Sequence, residues 1–293
     1  MLQGSRHTIF YGSLILLECV FWGVGNPVVK VTLGDITPFY CLTIRFFIAF
    51  SIYMLFFGKS FLQKFKREHI MPGAFVALFT ALSYGSSNFA IKYTSSTTAG
   101  FLIALAVLFT PFLERTILGT KINKFFFIPI GIVLVGLYYF CGASGLFVFG
   151  KGEVIAVASS VFTAFMIVVS AKYLRGIDPV VISVLQTLFI AIYCLPLALI
   201  LEDYPGITTI SATAWKGILY LAVFSSCGAY LLQNIALSKL PSSYVSVLFC
   251  SEPIFTGAAA YFMLGETLSA RGFFGAGLIM LSIVTASLIP EHK

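Results

Sequence analysis

Apolar residues run along this chain in stretches of about 20, the length an α-helix needs to cross a bilayer core. The windows fall near residues 9–31, 37–57, 70–92, 96–118, 124–142, 150–174, 179–201, 213–238, 241–264 and 269–289. They predict an all-α membrane protein of ten transmembrane helices with short loops and no soluble domain. Thr37-Pro38, Asp178-Pro179 and Ser269 read as helix starts, while Gly58 and Gly119 read as residues that follow helix ends. The first stretch follows Arg6, as the apolar part of a signal peptide would. Trp22 to Pro27 offers no A-x-A-like cleavage site, however, so it is read as a retained helix.

The chain also aligns with itself. At an offset of 146, residues 81–137 match 227–283 without gaps, pairing Tyr84 with Tyr230, Asn88 with Asn234, Thr110 with Thr256 and Gly119 with Gly265. At an offset of 141 the beginnings match, Val20-Phe21 on Val161-Phe162 and Pro38 on Pro179. Residues 1–146 and 147–293 are therefore read as one five-helix unit used twice in a single membrane domain. Five is odd, so the second unit enters the membrane from the opposite side and the repeats are inverted. With both termini in the cytoplasm, the inner segments hold twelve lysines and arginines and the outer segments five, Lys30, Lys92, Lys151, Lys216 and Arg271. That bias favours cytoplasmic termini and a multi-pass protein of the cell membrane.

Composition agrees with this picture and removes competing classes. Of 293 residues 59% are hydrophobic and 10% charged, and the mean hydropathy is +1.00; soluble proteins carry about 25% charged residues. The net charge of +7 belongs in cytoplasmic loops facing anionic membrane lipids, with the basic segment Lys59 to His69 a topology signal, and it does not point to nucleic acid. The six cysteines lie in or at the ends of apolar stretches without a CxxC pair, so buried thiols are expected. His7, His69 and His292 sit at the termini or in a basic loop, which leaves no membrane-depth imidazole and no expected metal site or cofactor. A GxSxG elbow, an H-E-x-x-H helix and an ATP-binding GxxxxGK[ST] loop are all absent. A membrane enzyme is excluded on that ground, and the expected driving force is an ion or solute gradient.

Three charges fall near helix centres: Glu18, Arg45 and Glu252. On the insertion scale each costs about 2.5–3.5 kcal/mol unless paired or wetted. The repeat pairs them with Ser159, Gln186 and Ala106, so the scaffold builds each position without a charge. Either they face a wet central cavity or they form a buried ion pair that locks helices. Glu18, Trp22 and Asn26 recur every four residues and share one helical stripe. Ser159, Thr163, Met166 and Ser170 give a milder stripe on the matching helix. Tyr84 with Asn88, and Tyr230 with Asn234, are spaced likewise and fit a cavity wall or a helix contact equally; Gln233 ranks lower. Pro27, Pro111 and Pro253 invite kinks. Glu114-Arg115 reads as a pair of interfacial charges reaching for headgroups.

In sum the chain resembles the EamA-type members of the drug/metabolite transporter superfamily. The resemblance rests on Phe21-Trp22-Gly23-Val24-Gly25-Asn26-Pro27, Ile44-Arg45-Phe46-Phe47, Lys92-Tyr93-Thr94-Ser95, Ser251-Glu252-Pro253 and Leu264-Gly265-Glu266, in that order along the whole chain. It implies a basket of ten helices, a cavity lined by helices one, three, four, six, eight and nine, and alternating access by rocking of the halves. It also implies export of a metabolite. Within the pattern, Glu266 sits in the turn before the last helix, where a capping or loop role is expected.

The expected substrate is an amino acid or related amine: two carboxylates and one guanidinium suit a solute bearing an ammonium group. Glu18 and Glu252 are the central carriers for a coupled proton. The expected binding and coupling residues are Glu18, Trp22, Asn26, Arg45, Tyr84, Asn88, Tyr230, Asn234 and Glu252. The rival readings are a transporter of nucleobases, nucleosides or organic anions, and a lipid flippase or channel.

Overall fold

The computed structural model describes residues 2–93, 96–121, 123–140, 150–203, 206, 210–265 and 269–289. Every element among them is helical. They are α1 (Leu2–Thr32), α2 (Pro38–Lys64), α3 (Ile70–Tyr93), α4 (Ser96–Ala104), α5 (Ala106–Leu118), α6 (Phe127–Phe140), α7 (Lys151–Leu174), α8 (Pro179–Leu201), α9 (Ala212–Tyr220), α10 (Ala229–Leu237), α11 (Ser242–Phe249), α12 (Glu252–Leu264) and α13 (Ala270–Leu288). Single 3₁₀ turns precede α3 and α6, and a wider π-helical stretch, Leu221–Gly228, joins α9 to α10.

Eight helices are long and apolar enough to cross a membrane, counting α9 to α10 and α11 to α12 as one each. The remaining predicted spans are the broken rod α4–α5 and the shorter apolar helix that ends in α6. Large apolar side chains point outward, with Phe262 83%, Leu55 78% and Ile200 77% exposed. Such a surface requires lipid as its solvent, and the protein is a multi-pass membrane protein.

The predicted starts of α2, α8 and α13 lie within a residue of those observed. The Asp178 side chain accepts from Val180 N at 2.9 Å, and Ser269 accepts from Gly272 N at 3.2 Å. Gly119 ends α5 in the left-handed region at φ 69°, the conformation glycine adopts most readily. Gly58 does not end α2, which continues to Lys64 because Phe61 is buried in the next turn; one glycine costs a helix about 1 kcal/mol, which packing offsets.

Two predicted helices are broken instead at positions the repeat pairs: Leu105, and Cys250 with Ser251. At both, hydrogen bonds tighten to three-residue spacing, Leu105 N to Leu102 O and Ser251 N to Leu248 O. Pro253, with no N–H, accounts for the second break. The first has Val107 in that place and no proline explanation. The helix α1 runs unbroken through Pro27, as α5 does through Pro111.

The closest packing joins α3 to α7, α6 to α13, α2 to α8 and α1 to α12. Between α1 and α12 the approach is set by glycine: a Cβ on Gly23 would lie 2.6 Å from Phe255 Cβ and 2.8 Å from Thr256 N. The five described cysteines, Cys19, Cys41, Cys194, Cys227 and Cys250, are buried free thiols; Cys141 lies outside the described residues.

Candidate functional site

The stripe predicted on α1 forms, buried at Glu18, half-buried at Trp22 and exposed at Asn26. Glu18 is fully buried, and neither carboxylate oxygen meets a hydrogen-bond partner. One turn on, the Trp22 indole N–H donates to Ser225 O at 2.9 Å. That carbonyl belongs to the π-helical stretch, whose wider turn frees backbone acceptors for outside donors. One turn further, the Asn26 amide donates to Glu252 Oε1 and to Thr256 Oγ1, both at 3.0 Å. Glu252 therefore opens α12 immediately after the helix break, against α1, and within electrostatic range of Glu18.

Aromatic rings connect this acidic wall to Arg45. The Trp22 ring lies 5.7 Å from Tyr230 and 5.5 Å from Phe249, and Phe46 lies 6.0 Å from Tyr230 and 6.4 Å from Tyr84. The Arg45 guanidinium sits 5.0 Å from the Phe46 ring centre and 5.5 Å from that of Tyr84, within cation–π range. Its Nε donates to Ser226 Oγ at 3.0 Å, and the residue is 4% exposed. No ion pair joins Arg45 to Glu18 or Glu252. The opposite charges thus share one cluster on α1, α2, α3, α10 and α12, buried at Glu18 and Arg45 and half-buried at Glu252, without neutralising each other. Formally the three carry one net negative charge.

Asn234 lies elsewhere. Its amide donates to Ser183 Oγ at 2.9 Å and Gln186 Oε1 at 3.1 Å, and Gln186 in turn donates to Thr80 Oγ1 at 3.0 Å. This network ties α10, α8 and α3 together, the helix-contact reading of that residue. Asn88 stands on α3 one turn beyond Tyr84, and its side chain lies outside the described residues, as does Glu266. Among the described residues no three His, Cys, Asp or Glu side chains come together as a metal site.

Sequence reasoning missed two features. Gln233 is fully buried with both amide atoms unpartnered, though its position one turn from Tyr230 was a usable signal. Glu114 is buried beneath the start of α11, whereas its neighbour Arg115 is exposed. The adjacency of the two charges suggested one fate for both, but on a helix neighbouring residues point about 100° apart.

In a many-helix membrane bundle, ionisable side chains at membrane depth mark a functional site. The chain belongs to the EamA-like transporter family, whose model matches residues 10–141 and again 150–288. It is 28% identical over 290 residues to an "Uncharacterized transporter" of Archaeoglobus fulgidus, covering 98% of this chain and 89% of that one. It is 26% identical over 287 residues to the "Probable amino-acid metabolite efflux pump" of Salmonella typhimurium, covering 93% of each. A solved crystal structure shares the fold with a TM-score of 0.79 at 17% identity, covering 97% of this chain and 98% of the other.

Proposed function

We propose that the protein is a secondary transporter that exports an amino acid or a related amine through the cluster between α1 and α12. The observation that carries this reading is the separation of charge: Arg45 and Glu18 are buried, Glu252 is half-buried beside Asn26, and no ion pair joins the guanidinium to either carboxylate. Buried charges without partners are expensive, and a solute carrying both an ammonium and a carboxylate group would complement them. In this reading Glu252 and Glu18 meet the ammonium group, Arg45 meets the carboxylate, and the rings of Trp22, Tyr84 and Tyr230 flank the solute. Glu18, which lacks any hydrogen-bond donor, carries the coupled proton. The name of the Salmonella relative, 26% identical, favours the same substrate class.

Transport proceeds in this reading by alternating access between two inverted five-helix repeats. Ten spans result when α4–α5 and α6 are added to the eight long helices. The packing supports the repeat. Contacts of α3 with α7 have their counterpart in those of α1 with α9 and α10, and contacts of α5 with α7 in those of α12 with α1, while α2–α8 and α6–α13 are their own counterparts. The family model also matches twice. In this reading both termini lie in the cytoplasm and the protein in the cell membrane, as the bias of lysines and arginines favours.

Counterflow in proteoliposomes tests the proposal. Liposomes are loaded with unlabelled amino acids, amines, nucleosides or organic anions and assayed with labelled tracers, with and without a pH gradient. Saturable exchange of an amine-bearing solute, strengthened by the gradient and lost in Glu252→Gln, is the expected result. Exchange of anions or nucleosides alone removes the amine reading, and normal transport by folded Glu252→Gln removes the role given to Glu252.

A further inference from the structure

The helix α11 begins without a cap of its own. Its N-cap residue is Pro241, whose side chain accepts no hydrogen bond, so the first N–H groups of the helix need acceptors from elsewhere. They find them in Glu114, near the end of α5. One carboxylate oxygen accepts from Ser242 N at 3.0 Å; the other accepts from Ser243 N at 2.9 Å and from the Ser243 hydroxyl. Glu114 is 7% exposed, and a carboxylate at a helix N-terminus is further favoured by the helix dipole. The contact runs from the first half of the chain to the second.

A second carboxylate makes a similar contact elsewhere. Glu202, after α8, accepts from Phe39 N and Tyr40 N at the start of α2, where Thr37 gives no side-chain cap. The two sites differ in the packing around them. The helices α2 and α8 pack closely and are tied at their other end by Lys64 and Asp178 at 2.7 Å, so fastened at both ends they move as one. The helices α5 and α11 pack on each other, but among the described residues their continuations α4 and α12 make no extensive contact. The α5–α11 contact is a joint closed at one end only. The repeat pairs Ser242 and Ser243 with Ser96 and Thr97, and Glu114 with Ala260. The hydroxyls recur and the carboxylate does not.

We infer that Glu114 is a one-sided conformational latch: it holds shut the mouth between α5 and α11 and must release Ser242 and Ser243 for that mouth to open. In the orientation proposed above this is the cytoplasmic mouth, and the inference rests on that alternating-access reading. An interaction present in one of two states shifts the population toward that state. Because Ala260 gives the opposite mouth no matching carboxylate, the resting protein favours the state closed at α5–α11.

The test needs no substrate. Spin labels at Thr116 and Lys239, both exposed beside this mouth, are introduced into a variant with all six cysteines replaced, and their separation is read by pulsed electron resonance in lipid. Glu114→Gln keeps an acceptor oxygen but loses the charge, and it should raise the long-distance population about threefold or more. Ser243→Ala should shift it less and in the same direction, and it carries the test should Glu114→Gln fold poorly. Glu202→Gln should leave this distance unchanged. A parent-like distribution in both Glu114→Gln and Ser243→Ala overturns the latch, as does an equal shift from Glu202→Gln. A shift without counterflow of any solute leaves the latch standing and counts against the transport proposal alone.

Discussion

The interface of α1 with α12 and that of α7 with α4 and α5 are paired by the internal repeat, yet they differ in chemistry. On the first stand Glu18, Trp22 and Asn26, with Asn26 bonded to Glu252; on the second the repeat puts Ser159, Thr163 and Ile167 on α7 and Ala106 on α5. The two hydroxyls of the neutral stripe on α7 bond to α3, Ser159 to Ser83 O at 3.0 Å and Thr163 with Ser83 Oγ at 2.6 Å. The first interface leaves Glu18 unpartnered. A second matched pair repeats the contrast: Arg45 donates to Ser226, and its counterpart Gln186 donates to Thr80, the counterpart of Ser226, both at 3.0 Å. One scaffold hydrogen bond is thus built with and without a charge. The scaffold can make this bond with a neutral residue, and in the proposed function the charge serves the solute.

The largest effect should come from making the first interface like the second at its most polar point. Glu252→Ala installs the residue found at its counterpart, Ala106, so the fold should survive, as judged by an unchanged elution profile in detergent. Transport should fall by at least about 30-fold, because removing one charged partner of a buried site costs about 2–5 kcal/mol. Near-normal counterflow by this variant would mean the contrast between the interfaces is ornamental.

Arg45→Gln makes a finer version of the same change. Glutamine at the matching position already reaches its hydroxyl partner, so the bond to Ser226 can be kept while the charge goes. For solutes with a carboxylate, KM should rise about 10- to 150-fold, the value of a charged hydrogen bond of about 1.5–3 kcal/mol. Amines without a carboxylate should be nearly unaffected. Equal losses for both solute types would show that Arg45 acts on the fold and not on the carboxylate.

How much of this contrast the sequence carried depends on the scale asked about. Eight of the spans and the α1 stripe were legible because membrane helices obey period and length, and a polar residue against lipid is costly enough to mark a face. The pairing of Asn26 with Glu252 was not, since it joins residues 226 apart in sequence through a crossing set by Gly23. The helix break at Leu105 was illegible for another reason: no proline or glycine at that point signals it. The different fates of Glu114 and Arg115 depended on an uncapped helix more than 120 residues away, which only Pro241 announced.

Packing tests the geometry that brings the charged interface together. Gly23→Ala places a Cβ into the backbone of α12, where the nearest atoms would lie under 3.0 Å. Such overpacking costs about 1–3 kcal/mol, so a lower Tm is expected. Because the shift would part Asn26 from Glu252, transport should weaken by more than the lost stability explains. Unchanged Tm and transport would place the closest approach of α1 and α12 somewhere other than Gly23.

The smallest effect belongs to the counterpart of Glu18 itself. Ser159→Ala removes one hydroxyl donor to Ser83 O, and interhelical hydrogen bonds in membranes average about 0.6 kcal/mol. The Ser83 carbonyl also belongs to the helical backbone, so little is left unsatisfied, and Tm should fall only slightly with counterflow unchanged. The comparison becomes informative when Glu18→Ser, which copies the neutral residue into the charged interface, is measured beside it. Removing an unpartnered buried carboxyl should leave Tm the same or higher while abolishing the response to a pH gradient. If Ser159→Ala and Glu18→Ser instead impair transport equally, the two interfaces are functionally equivalent, and the difference in their charges has to be explained by folding after all.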